Sequence, residues 1–214
     1  MESKARAFDI EVNKRSMEKE SLELRRNWIF RHLGQRLLLA KRPRESSEHV
    51  FLKAFLWALF HETYPGLEIE KSIGDRYKPD AICLAHPTAP HEARKSSRTE
   101  MHQRAELSPE LSAGGLPDLA VPIFWAEAGQ VKMQKIRSIL SRFHGLHFVI
   151  ARWGFRKEPL IEQIRSKLGN DPRIRKKEPR VELLQFDSSA HIRSIAGDGT
   201  IQLDSDDYRI HSVL

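Results

Sequence analysis

FWAEAGQ, residues 124–130, is the stretch whose reading decides the fold. Phe124, Trp125 and Ala126 lead into a lone carboxylate, Glu127, with Gly129 two residues further on. An apolar, strand-like run of this kind belongs in a core, where an ionised carboxylate is costly unless it holds a cation or a partner. A second stretch, YKPDAICL (77–84), has the same character, with Asp80 at the head of Ala81-Ile82-Cys83-Leu84. Two such strands side by side would bring Asp80 and Glu127 together as a site for a hard cation. Mg2+ commonly takes one or two carboxylates and completes its shell with waters and substrate phosphate oxygens. The plainer alternative has Asp80 capping a turn after Pro79 and Glu127 half-exposed at a strand end, and spacing by itself leaves that alternative ahead.

Working outward, 214 residues fit one domain, with 40% hydrophobic and 30% charged residues. The formal charge of +7 favours a polyanionic partner such as nucleic acid. A lone cysteine, Cys83, excludes an intrachain disulfide and a Cys-based zinc site, so a reducing cytoplasm is the expected home. The charged N-terminus lacks the apolar centre of a signal peptide, and the longest apolar run, 54–60, is too short to cross a membrane.

Strands are expected at 7–12, 27–30 and 36–40, and ESSE (45–48) then reads as the capped start of a helix. That helix, HVFLKAFLWALFHE (49–62), is apolar on most of its circumference and therefore buried; Tyr64-Pro65-Gly66 ends it. Strands follow at 67–73, 78–84, 121–127, 147–151 and 181–186, with helices at 132–143 and 159–168. Residues 86–117 read as a polar, flexible insertion, and its histidines (His86, His91, His102) as loop residues. A closing hairpin is expected from 192–195 and 200–203 around Gly197-Asp198-Gly199, followed by a solvated tail bearing Asp204, Asp206 and Asp207. The sum is an α/β fold with antiparallel additions at both ends.

Arg165, Lys167, Arg173, Arg175, Lys176, Lys177 and Arg180, with Arg137 and Arg142, could contact phosphates, or could simply be a solvated connection. Trp57, Trp125 and Trp153 read as packing. Leu116-Pro117-Asp118 is a rival to Pro79-Asp80, but Asp118 ends a Ser/Gly-rich loop whereas Asp80 opens an apolar run.

Pro79-Asp80 with Glu127-Ala128-Gly129 resembles the PD-(D/E)XK phosphodiesterase signature. LLLAKRPRESSEHVFLKAFLWAL (37–59), FWAEAGQVKMQKIRSIL (124–140) and IAGDGTIQL (195–203) resemble segments of the bacterial YaeQ family, in that order. The resemblance covers all but the insertion. It implies a restriction-endonuclease-like core, a mixed central sheet flanked by helices, and a metal-dependent nuclease acting on nucleic acid. It further implies Asp80 and Glu127 as ligands of Mg2+ or Mn2+, with Glu48 where the superfamily often places a helix acid. The superfamily lysine two residues beyond the acid is here Gly129. Gln130 is then expected to place the attacking water and Lys132 or Lys135 to meet the phosphate. The alternative is a catalytically inactive module of that fold which binds nucleic acid or a protein.

Overall fold

The computed structural model describes residues 27–85, 121–154 and 158–214. The strand expected at 7–12, the insertion at 86–117 with its histidines, and Asp118 lie outside the described residues.

Strands β1 (Asn27–His32) and β2 (Gln35–Ala40) form an antiparallel hairpin. Helix α1 (Ser47–Phe60) follows, and the Ser46 side chain caps it by accepting from the His49 amide. Next come β3 (Glu68–Ile69), β4 (Ala81–Leu84), β5 (Pro122–Ala128), helix α2 (Met133–Leu140) and β6 (His147–Trp153). The chain closes with α3 (Glu158–Leu168), α4 (Pro172–Arg175), β7 (Arg180–Phe186), α5 (Ala190–Ser194) and β8 (Tyr208–Ser212).

Six strands make one mixed sheet in the order β3-β4-β5-β6-β7-β8. β5, β6 and β7 are parallel, and the outer neighbours pair antiparallel. The alternation of side chains along each strand divides the core in two. Phe124, Ala126, Ala128, Val149, Ala151, Leu184 and Phe186 face α1. Trp125, Phe148, Ile150, Val181 and Leu183 face α2 and α3 through Ile136, Ile139, Leu140, Ile164 and Leu168. The near-total burial of α1 has a direct cause: the sheet covers one side, and Trp28, Phe30 and Leu39 of the hairpin cover the other.

Two expectations near the C-terminus are corrected. Ile192 and its neighbours are helical, and the expected hairpin shrinks to one bridge between Ile195 and Ile201. The second arm is claimed by β1 instead: Arg31 N–H donates to Gly199 O at 2.9 Å and Ile201 N–H to Arg31 O at 2.8 Å. Nor do the three aspartates form a solvated tail together: Asp204 and Asp206 are exposed, but Asp207 is not. Asp207 is 3% exposed and accepts from Ser194 Oγ at 2.7 Å, Asp204 N at 3.0 Å and Arg193 Nη2 at 2.8 Å, and the chain then enters β8.

Candidate functional site

The β4–β5 ladder ends at Ala81 opposite Ala126, so Asp80, just before β4, lies beside the strand that carries Glu127. Asp80 is fixed by main chain: its N–H donates to Ala126 O at 3.1 Å, and its Oδ2 accepts from Ala128 N at 2.8 Å. Its other oxygen lies 3.3 Å from His49 Nε2, a residue of α1. Burial pulls Asp80 upward, but the His49 ring, the Ala128 amide and nearby Lys53 outweigh it and hold the carboxyl below its usual range.

Glu127, 5% exposed, points to the other face of the sheet. Trp125 Nε1 donates to its Oε1 at 2.7 Å and Lys135 Nζ, from α2, to its Oε2 at 2.5 Å. Burial raises Glu127 above the ordinary carboxylate range; Lys135 and Trp125 oppose that shift and the charge on Asp80 reinforces it. The charge on Asp80 thus reaches Glu127, and the two carboxyls shift in opposite directions.

A second layer backs this pair. Glu45, just before the N-cap of α1, meets both His49 and Lys53 on the helix. The Lys53 ammonium, 1% exposed, is held by Glu45 and by Glu70 Oε1, and Arg42 Nη2 meets Glu70 Oε2 at 2.6 Å. Glu45 Oε1 is also 3.6 Å from His49 Nε2. Glu70 adopts φ +59° and donates its N–H to Asp80 O at 2.9 Å, so a strained residue ties the second layer to the first.

No protein-family model and no curated protein matches the sequence. Among solved structures the chain is similar to the YaeQ protein of Xanthomonas axonopodis pv. citri, with TM-score 0.50 and 16% identity. That match covers 88% of this chain and 94% of that one. A YaeQ protein from Pseudomonas syringae matches with TM-score 0.45 and 12% identity, over 88% of this chain and 95% of its own. This chain shares its fold with a YaeQ protein. At such identity the likeness concerns the backbone path and assigns no side chain a role.

On this YaeQ-like backbone the other predicted residues divide. Lys135 joins the acid pair, whereas Lys132, at the N-cap of α2, is exposed. Gln130 is exposed just past the end of β5, where Gly129 turns the chain at φ +79°. Glu48 is exposed and meets the rest of the protein through its backbone, which accepts from Trp153 Nε1 at 3.2 Å. The acid turned toward the site is Glu45, three residues earlier and just outside α1. Spacing held a signal for it: a lysine inside the apolar run of α1 needs acids, and Glu45 lies two helical steps of four before Lys53.

The basic run lands elsewhere. Arg180 starts β7 opposite His147, the first residue of β6, whereas Glu127 pairs with Ile150 further along. The segment leading into β7 thus sits at the opposite end of the parallel strands from the acids. Several of these cations are already engaged: Arg142 by Asp75, Arg137 by Asp171 at 3.4 Å, and Arg180 by Glu182 at 2.6 Å.

Asp80 and Glu127 offer the carboxylate oxygens that a hard divalent cation takes, and here those oxygens meet His49, the Ala128 amide, Trp125 and Lys135. Among the described residues no cluster of three or more His, Cys, Asp or Glu side chains offers a fuller protein cage.

Proposed function

We propose that this chain is a YaeQ-type protein with a restriction-endonuclease-like, PD-(D/E)XK core, and a Mg2+- or Mn2+-dependent phosphodiesterase acting on nucleic acid. The observation that supports this reading is that Asp80 and Glu127 lie at the same end of the β4–β5 pair, the charge on Asp80 raising Glu127, with the Lys135 ammonium already on Glu127. Asp80 and Glu127 would hold the cation, which supplies Lewis-acid polarisation of a phosphoryl oxygen when bound. Asp80 is kept ionised by His49 and the Ala128 amide, which suits a ligand. Lys135, once displaced from Glu127, becomes a mobile cation within reach of a phosphate, standing in for the lysine that Gly129 replaces. Its ammonium is also 3.3 Å from Lys78 O and 5.7 Å from the Tyr77 ring, so it has a second resting place. Gln130 and Lys132, both exposed at the mouth of α2, would contact water and backbone phosphate.

A second reading, a non-catalytic nucleic-acid or protein-binding module, is favoured by one observation. Each oxygen of Asp80 and Glu127 already faces a protein nitrogen, so the pair is satisfied without any cation. Two measurements separate the readings. Mn2+ titration should raise the melting temperature of the wild type and leave Glu127→Ala unchanged, since a ligand of the native state stabilises it by mass action. Cleavage of single- and double-stranded DNA and RNA should require the metal and disappear in Asp80→Ala. Metal-independent stability, with no cleavage in any condition, selects the second reading.

A further inference from the structure

A separate polar chain occupies the end of the sheet away from the acid pair. Tyr64, in the turn after α1, places its Oη 2.8 Å from His147 Nδ1, and His147 Nε2 is 2.9 Å from Glu182 Oε2. The proton positions follow from the far end. Arg180 donates from Nε at 3.0 Å and Nη2 at 2.6 Å to Glu182 Oε1, which marks Glu182 as an ionised acceptor. His147 Nε2 must then carry a hydrogen, so Nδ1 keeps its lone pair and the Tyr64 hydroxyl donates to it. His147 and Glu182 are 6% and 5% exposed, while Tyr64 is only half-buried, its ring 4.6 Å from that of Phe124 and 6.5 Å from that of Phe60. A hydroxyl, a base within hydrogen-bond reach and a third group orienting the base make up the constellation of an assisted nucleophile.

We infer that Tyr64 is a nucleophile assisted by His147 and Glu182, reactive toward uncharged, activated acyl donors. Aromatic walls and a guanidinium already committed to Glu182 favour a neutral acyl group over a phosphate. Burial holds His147 below its usual range, with Glu182 opposing, so the ring is a neutral base at pH 7. Burial also raises the Tyr64 hydroxyl, so the phenol does not ionise unaided and its reactivity depends on that base. In the step, Tyr64 Oη bonds to the acyl carbon while its proton passes to His147 Nδ1. The bond from that carbon to the leaving group breaks, and the leaving group departs with the bonding pair and then takes the proton from His147. Glu182 stabilises the transient imidazolium, and the products are O-acyl-Tyr64 and the protonated leaving group.

The other two tyrosines, Tyr77 and Tyr208, are internal controls. The full chain is treated with N-acetylimidazole at pH 7.5 and mapped by mass spectrometry, and hydroxylamine lability distinguishes acetyl on tyrosine oxygen from acetyl on lysine. Tyr64 should be acetylated at least about tenfold faster than either control, an order of magnitude below the low end of general-base effects. His147→Gln should remove that excess and leave the Tyr77 and Tyr208 rates unchanged. A Tyr64 rate at or below that of Tyr208 in the wild type overturns the inference without any variant. An undiminished Tyr64 rate in folded His147→Gln, or in Glu182→Gln if the former does not fold, overturns it equally.

Discussion

Replacing Lys53 with methionine tests the layer behind the acid pair. The Lys53 side chain is 2% exposed and its partners Glu45 and Glu70 are 9% and 22% exposed, so water screens little of the interaction. Methionine nearly conserves volume, so the cavity contribution is small and the loss is electrostatic. Removing one member of a buried ion pair costs about 3–5 kcal/mol because the remaining charge is stranded. Arg42 still meets Glu70, which sets the expectation at the lower end, about 3 kcal/mol. For a chain of this length that lowers the melting temperature by roughly 6–12 °C. Urea titration followed by tryptophan fluorescence reads the loss directly. The pH dependence supplies a second check. Burial pulls Glu70 upward, but Lys53 and Arg42 win and hold it below the usual 4.5. A depressed acid stabilises the fold above its unfolded pKa and gives that up as pH falls through its folded value. The gap between wild type and Lys53→Met should therefore narrow below about pH 4.5. A loss under about 1 kcal/mol at pH 7, or a gap constant down to pH 3, would refute the assignment of Lys53 as a buried counter-charge.

Gly129→Ala should cost about 1–2 kcal/mol, read by the same urea titration, because φ +79° is left-handed while the added Cβ would meet only His49 Nδ1 at 3.6 Å. Gly199→Ala should be worse, since its Cβ would fall 1.9 Å from Ile29 O, and limited proteolysis should then release the β1–β2 hairpin first. Asp207→Ala should lower stability by about 1–3 kcal/mol by leaving buried Ser194 Oγ without its acceptor. His32 Nδ1 lies 2.9 Å from His61 Nε2, and burial, then His61, hold His32 below 6.5, with Glu62 opposing. A depressed histidine must take up its proton at a cost, so thermal stability should fall from pH 7.5 to pH 5.5, and the fall should be smaller in His32→Asn.

Much of the fold was legible because its elements carry strong local patterns. The run around α1 could only be a buried helix, and the apolar stretches of β4, β5, β6 and β7 have the length and composition of core strands. Asp80 and Glu127 stood out for a related reason: a carboxylate heads one such run and interrupts another, and β4 and β5, which carry those runs, do pair. Long-range competition was not legible. Ile195 and Ile201 look like hairpin partners, but β1 takes the backbone groups of residues 199–201, and no local pattern announces that. The second layer was obscured in a different way. Glu48 suits a helix N-terminus on local grounds, and the spacing of Glu45 to Lys53, a lysine inside the apolar run, is what tells which acid turns inward. Gln130 was placed by analogy with its position in a motif, whereas the turn at Gly129 decides where it goes.

The pairing of β1 with residues 199–201 also bears on how the chain reaches this state. Arg31 finds its backbone partners about 170 residues downstream. Until that distant segment arrives, what anchors the hairpin among the described residues is its own turn and its packing on α1, an almost wholly buried apolar helix. Contacts of such sequence separation form late because the loop-closure entropy must be met first. Folding should therefore finish with a docking step that joins the early and late parts of the chain, and α1 is the surface left vulnerable to aggregation in the interval before it.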